Sequence, residues 1–175
     1  NPKAMANKKT IAIILCVLMV VSVASCGADT TWIIKTDKTS IGSGAYMYYL
    51  LTAYSEAYYQ VEDNTKNLFN QTIDGVKGSV WMEQSAIDSA KFSITVKEMF
   101  EEKGLELSEE TKSYIKQYAD YYWAYTGSIY TDNGISYDTL YDVISVDFMT
   151  SQLFETIYGK GGEKEIPAED IRKGL

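Results

Sequence analysis

The stretch from Gly78 to Gly104, GSVWMEQSAIDSAKFSITVKEMFEEKG, decides the fold class of this chain. The 25 residues between its two terminal glycines include neither glycine nor proline. In the second half, Phe92, Val96 and Met99 recur at spacings of four and three, the repeat of one face of an α-helix. The spacing predicts a long amphipathic helix that ends at a glycine.

Three further segments have helical patterns. Ala45–Val61 contains no helix-breaking residue and is apolar on most sides. Ser108, followed by two glutamates, predicts the N-cap of a helix that stops near Gly127. Ser136 predicts the cap of a fourth helix that runs to Gly159.

The remaining segments are interpreted as connections. The β-leaning stretch Thr30–Ile34 predicts one short strand or extended arm. Residues Asn64–Gly78 and Ser128–Gly134 are rich in turn formers and are predicted to be loops. Pro167 stands where a further helix would begin. The predicted fold is therefore all-α, a bundle of four or five helices with a short N-terminal extended arm or strand.

Residues 1–25 have the pattern of a targeting segment. Lys8 and Lys9 precede an apolar run from Ile11 to Ala24, which is shorter than the ~18 residues needed to span a bilayer and fits a secretory signal peptide. Asn1–Ala4 are interpreted as tag or upstream residues, with Met5 as the natural start.

The end of this run, Val23-Ala24-Ser25-Cys26, resembles the bacterial lipobox, in which small residues precede a cysteine that is acylated and becomes the mature N-terminus. The resemblance implies lipidation at Cys26 and attachment to the extracytoplasmic face of a bacterial cell membrane. The alternative is an ordinary cleaved signal with Cys26 as an incidental thiol. Residues 26–42 are then the anchor and extended arm, and residues 43–175 the helical domain.

Composition excludes several classes of function. The sequence has no histidine and two cysteines, so no Ser-His-Asp, Cys-His or histidine-ligated metal site can be built from this chain alone. Residues 1–25 hold three of the 16 basic residues and none of the 24 acidic ones, so the remainder carries a net charge of -11. Nucleic acid is therefore not an expected partner.

Tyrosine is over-represented, with 15 residues. Tyrosines at helical spacing can form core, line a groove for peptides, or stack on sugars, and all three interpretations remain open. The candidate peptide-binding residues are aromatic and lie in two predicted helices: Tyr118, Tyr121, Tyr122, Trp123 and Tyr125 in one, and Tyr54 and Tyr58 in the other.

Other candidate sites have simpler interpretations. The acidic run that includes Glu98 and Glu102 is interpreted as solvated helix ends, and the alternative is a hydrolase that uses carboxylates alone. Asp132-Asn133-Gly134 lacks the closing glutamate of a calcium loop and is interpreted as a turn. Gly42-Ser43-Gly44 precedes a predicted helix but lacks the lysine and the spacing of a phosphate loop, so it is interpreted as a flexible entry to that helix. No metal or cofactor is expected.

The order of motifs after Ala90 resembles the chaperone domain of SurA and PrsA-type foldases. The motifs that carry the resemblance are Lys103-Gly104-Leu105, Ser108-Glu109-Glu110, Gly134-Ile135-Ser136 and Ile166-Pro167-Ala168-Glu169-Asp170-Ile171. The resemblance implies an extracytoplasmic chaperone that binds unfolded secreted polypeptides, and a parvulin-type prolyl isomerase domain beyond Leu175. Asp37-Lys38 replaces the family's Asn-Gly turn.

No catalytic residue carries over from this family, because its isomerase sites use histidine and often cysteine. The alternative function is a non-enzymatic structural lipoprotein, or one that binds a solute or glycan.

Overall fold

The computed structural model describes residues 32–166, and these form a mainly helical domain. Four α-helices make up most of it: α1 (Ser43–Gln60), α2 (Gly78–Glu102), α3 (Glu109–Asp132) and α4 (Tyr137–Tyr158). The prediction of an all-α bundle is confirmed, with four helices in the described part of the chain. The segment that begins at Pro167 lies outside the described residues.

The N-terminal arm is a hairpin rather than a single strand. Strand β1 (Trp32–Lys35) pairs antiparallel with β2 (Ser40–Gly42), with Ile34 opposite Ile41. Its turn is closed by the Thr36 amide, which donates to the Thr39 carbonyl at 2.8 Å. Because Ile41 is buried in the central core, the hairpin is held against the bundle and leads directly into α1.

The prediction of a loop from Asn64 to Gly78 is wrong in part. A 3-10 turn (Leu68–Asn70) and a second hairpin, β3 (Thr72–Ile73) with β4 (Val76–Lys77), occupy this segment. Asp74 and Gly75, which connect the strands, both have positive φ, as a type I′ hairpin turn requires. The Asp-Gly pair between two apolar residues is the local signal for this turn, and Ile73 is buried beneath it.

The predicted end of α3 near Gly127 is also wrong, since the helix continues to Asp132. Gly127 lies under Trp123, and a Cβ at Gly127 would be 3.3 Å from three atoms of the indole ring. The glycine that terminates the helix is instead Gly134, two residues beyond Asp132, which has a φ of 71°. There the amides of Gly134 and Ile135 donate to the carbonyls of Thr131 and Tyr130, which is the Schellman arrangement.

Two predicted N-caps are confirmed. The Ser108 hydroxyl accepts a hydrogen bond from the Thr111 amide, and the Ser136 hydroxyl accepts one from the Thr139 amide, both at 3.1 Å. These caps fix where α3 and α4 begin. The two helices pack on each other as an antiparallel pair, and α4 also packs on α2.

The central core joins all four helices. Its buried members include Ala45 from α1, Ala90 and Ile94 from α2, Ile115 from α3 and Leu140 from α4. Helix α3 is the least buried of the four, because Ile115 and Ala119 are its only buried residues. Most of the surface of α3 is therefore available to solvent.

Candidate functional site

Four tyrosines form a stripe along the solvent side of α3. Tyr118, Tyr121, Tyr122 and Tyr125 are spaced so that they share one face of the helix, and each is exposed, Tyr125 by 74%. We call these four residues the tyrosine face. Scattered exposed aromatic residues are ordinary, whereas a contiguous stripe of them is typical of a binding surface.

The rings of the tyrosine face contact each other and α4. Tyr121 lies with its ring centroid 4.8 Å from that of Tyr125 and 5.6 Å from that of Tyr122. Tyr118 lies 6.2 Å from Phe148 of α4. Three of the four rings therefore contact through Tyr121, Tyr118 contacts α4, and all four residues are exposed.

Trp123 is on a different side of α3. Its indole is partly buried against the central core, with ring centroids 6.2 Å from Tyr130 and 5.6 Å from Tyr137. The structure therefore separates Trp123 from the four tyrosines that the sequence placed with it. In this position the indole packs α3 onto the bundle.

A groove of about 540 Å³ lies between α1, α2 and α4. Its apolar walls are Tyr48, Tyr49, Phe92, Val143 and Val146. Its polar lining consists of Thr52, Ser85, Asp88, Ser89, Ser93 and Asp147. We call this feature the α1–α2–α4 groove. Its volume is within the ordinary range of ligand-binding clefts.

Tyr48 connects the groove to the tyrosine face. Its ring centroid lies 6.0 Å from that of Tyr130 of α3, and its phenol lies near enough to Tyr122 for the two groups to influence each other's ionisation. Burial, and to a smaller extent the neighbouring acidic groups, raises the pKa of Tyr48 to about 12. Tyr48 therefore stays neutral and can present both an aromatic surface and a hydroxyl to a ligand.

Two hydroxyls at the wall of the groove are buried without a hydrogen-bond partner among residues 32–166. They are the Tyr49 Oη and the Ser93 Oγ. Burial raises the pKa of Tyr49, and the nearby Ser93 hydroxyl offsets part of this rise, although the two groups do not meet in hydrogen-bond geometry. Unpartnered buried hydroxyls are uncommon because each loses its hydration.

Asp147 provides the carboxylate of the groove. Burial raises the pKa of its carboxyl group, since the neighbouring apolar side chains exclude water from the charged form. Asp147 as a whole remains exposed, so its carboxyl group lies at the mouth of the groove, where solvent reaches it.

Tyr54 and Tyr58 belong to a separate pocket of about 410 Å³. This pocket lies between α1 and the segment Asn64–Phe69, and the Tyr54 ring is 5.8 Å from that of Phe69. Both tyrosines are exposed. The candidate residues therefore fall into three places: the tyrosine face, the core side of α3 and this second pocket.

Other sequence-derived sites have plain structural roles. Glu98 accepts a hydrogen bond from the Thr36 hydroxyl, and Glu102 forms an ion pair with Lys38 at 2.9 Å. These contacts fasten the first hairpin to the end of α2. Among the described residues, no cluster of three or more histidine, cysteine, aspartate or glutamate side chains could hold a metal ion.

Cys26 and the targeting segment lie outside the described residues. Within residues 32–166, none of the helices has both the length and the apolar character needed to cross a membrane.

Comparisons with known proteins do not extend these observations. No protein-family model, curated protein or solved structure matches the chain. The class defined by the fold and the surface is a four-helix domain with an exposed aromatic face beside a polar-lined groove.

Sequence reasoning missed the groove because its lining comes from three helices. One local signal was present, since Ser93 falls among the residues that α2 buries, where a hydroxyl needs a partner. The second signal is the neighbouring Phe92, an apolar side chain that lines the groove and is 53% exposed.

Proposed function

We propose that the protein is a lipid-anchored, extracytoplasmic chaperone that binds apolar segments of unfolded secreted polypeptides. The observation that carries the proposal is the tyrosine face of α3, an exposed aromatic stripe next to the α1–α2–α4 groove. The resemblance to SurA and PrsA-type chaperone domains supports the same function.

Tyrosine suits weak and sequence-tolerant binding. Each ring offers a flat apolar surface and loses little conformational freedom on binding, while its hydroxyl accepts or donates a hydrogen bond to a peptide backbone. The Tyr121 ring contacts those of Tyr122 and Tyr125, so a bound segment would lie across several rings at once. Such a surface requires no particular client sequence.

The groove adds depth to this flat surface. A segment that crosses the tyrosine face towards Tyr48 can place a side chain between Phe92 and Val143. Burial of one side chain in this way fixes the position of the segment, as anchor residues do at other interfaces.

Lipidation of Cys26 would keep the domain at the membrane surface, where secreted chains emerge unfolded. A single acyl chain gives marginal attachment, so stable anchoring requires the multiple acylation that the lipobox resemblance implies. The net negative charge makes nucleic acid an unsuitable partner.

The test is suppression of aggregation of a reduced model client, measured by light scattering with the parent and with the double variant Tyr121→Ala/Tyr125→Ala. We expect the parent to suppress aggregation in proportion to its concentration and the double variant to suppress it less. A parent that never suppresses aggregation and binds no unfolded peptide would contradict the proposal.

The second candidate function is binding of a small solute or glycan. It is favoured by the polar lining of the groove, in which the Asp147 carboxylate and the Ser93 hydroxyl lie beside aromatic rings. Aromatic rings with nearby oxygen ligands also suit sugars. Calorimetric titration with oligosaccharides distinguishes this candidate, since it predicts binding that peptides do not displace.

A further inference from the structure

The α1–α2–α4 groove has a charge pattern that restricts its occupant. Its lining includes two carboxylates, Asp88 and Asp147, and no lysine or arginine. Asp88 forms an ion pair with Lys91 at 3.4 Å, and Lys97 is paired with Asp142 at 2.5 Å. The lysines of α2 next to the groove are therefore already paired with other acids.

Asp147 is left without a partner. Its carboxylate has neither an ion pair nor a hydrogen bond within Trp32–Ile166, although Tyr48 and Tyr49 are near enough to interact with its charge. Partial loss of hydration disfavours its charged form. A cation bound at this position would remove that penalty.

Two unpartnered hydroxyls lie behind the lining of the same groove. Tyr49 is on α1 and Ser93 on α2, and both hydroxyl oxygens are buried, so the unpaired acceptor that a ligand in the groove reaches is the carboxylate of Asp147 on α4. An ammonium group is a compact charge with three donors and no acceptor, so it suits a carboxylate at the mouth of the groove, where water accepts its remaining hydrogen bonds.

We propose that the groove binds the side chain of a lysine in the captured polypeptide, with the ammonium group at Asp147 and the aliphatic stem between Phe92 and Val143. Lysine combines an apolar stem with a compact charge, so one side chain fits both the walls and the carboxylate. This inference rests on the proposed function and names the client class as apolar segments that contain lysine.

The experiment measures binding of two fluorescein-labelled extended peptides to the protein by fluorescence anisotropy at physiological salt. The peptides are identical except for one central residue, which is lysine or norleucine. Norleucine keeps a four-carbon side chain and lacks the charge. We expect the lysine peptide to bind about tenfold or more tightly than the norleucine peptide, the scale of a hydrogen-bonded charge pair.

The variant Asp147→Asn keeps the shape of the side chain and removes its charge. We expect it to bind the lysine and norleucine peptides equally. Glu155→Gln is the matched control, because it removes the same charge from an exposed position of α4 about 12 Å further along the helix. This control should retain the preference for lysine.

The outcomes separate the two proposals. If both peptides bind equally to the parent and Tyr121→Ala/Tyr125→Ala weakens the binding of both, the lysine site is wrong and the chaperone proposal stands. If Asp147→Asn keeps the lysine preference, the site is also wrong. If no peptide binds, both proposals fail. A melting temperature of Asp147→Asn at or above that of the parent shows that the loss of preference does not come from unfolding.

Discussion

The double variant Tyr121→Ala/Tyr125→Ala tests whether the tyrosine face is a binding surface or part of the core. Tyr121 is 59% exposed and Tyr125 is 74% exposed. Roughly two fifths and one quarter of their surfaces are therefore covered, and a tyrosine buries about 150–250 Å² when fully covered. At about 25 cal/mol per Å², this covered area is worth about 2.5–4 kcal/mol for the pair, which is an upper limit.

Two effects change this upper limit in the variant. Alanine has the better helix propensity, by about 0.5 kcal/mol at each position. The ring contact between Tyr121 and Tyr125 at 4.8 Å is lost, but it is exposed to water and contributes at the low end of the range for aromatic pairs. We therefore expect the free energy of unfolding to fall by about 1–3 kcal/mol, compared with about 6–10 kcal/mol for two buried rings.

The double variant should also lose affinity for an unfolded peptide. Anchoring residues lose about 1 kcal/mol or more each on truncation, so the double variant should bind an unfolded peptide about thirtyfold more weakly. Urea unfolding followed by circular dichroism gives the stability, and fluorescence anisotropy gives the affinity.

Tyr59→Ala is the matched control, since Tyr59 is 85% exposed on α1 and outside the tyrosine face. A variant that unfolds far more easily than expected, or one that keeps the affinity of the parent, would refute the reasoning. In the second case the pocket at Tyr54 and Tyr58 becomes the next surface to test.

Three further predictions address the anchor, the helix caps and the groove. Cys26→Ser should abolish incorporation of labelled fatty acid and release the protein from membranes, because acylation requires the thiol; a labelled Ser variant would contradict the lipobox interpretation. Ser108→Ala should lower the free energy of unfolding by about 1 kcal/mol through loss of the hydrogen bond to the Thr111 amide, whereas Ser113→Ala, at an exposed interior position of α3, should not. Asp147→Asn should become more stable relative to the parent as the pH rises. The change should begin near the ordinary aspartate pKa and be complete above the raised pKa of the folded state. In this range the unfolded parent loses its proton before the folded parent does, so rising pH destabilises the parent and not the Asn variant. Urea unfolding across this pH range checks it, and a stability difference that does not depend on pH would show that the Asp147 carboxyl is not desolvated.

Features set by neighbouring residues could be predicted from the sequence. The long helix α2 needed no tertiary information, because 25 residues without glycine or proline precede Gly104, which has a positive φ. Its predicted apolar face is wrong in part, since Phe92 and Met99 are exposed and only Val96 of the three is buried. The caps at Ser108 and Ser136 are equally local, since each serine accepts from an amide three residues later. The fold class follows from these signals together.

Features set by tertiary contacts could not be predicted. Gly127 and Gly134 look alike in the sequence, but only Gly134 is followed by an apolar residue, Ile135, that the core buries as α3 ends. Trp123 packs over Gly127 and favours continuation of the helix there. The α1–α2–α4 groove depends on how three helices meet, so no local pattern identifies Asp147 as its carboxylate.

The choice of tyrosine on α3 explains how an aromatic stripe can remain exposed. Leucine or phenylalanine at the four positions of the tyrosine face would present an apolar patch that favours self-association. Tyrosine covers the same surface with rings whose hydroxyls stay hydrated, so the exposed state of the face costs less and its affinity for any one segment stays modest. The core does not require these rings, because Ile115, Ala119 and Trp123 already pack α3 onto the bundle. The four tyrosines lie on the neighbouring flank of α3 and are 44–74% exposed, so they stabilise the free domain less than buried rings would. Their exposure supports the proposed contact with a bound polypeptide.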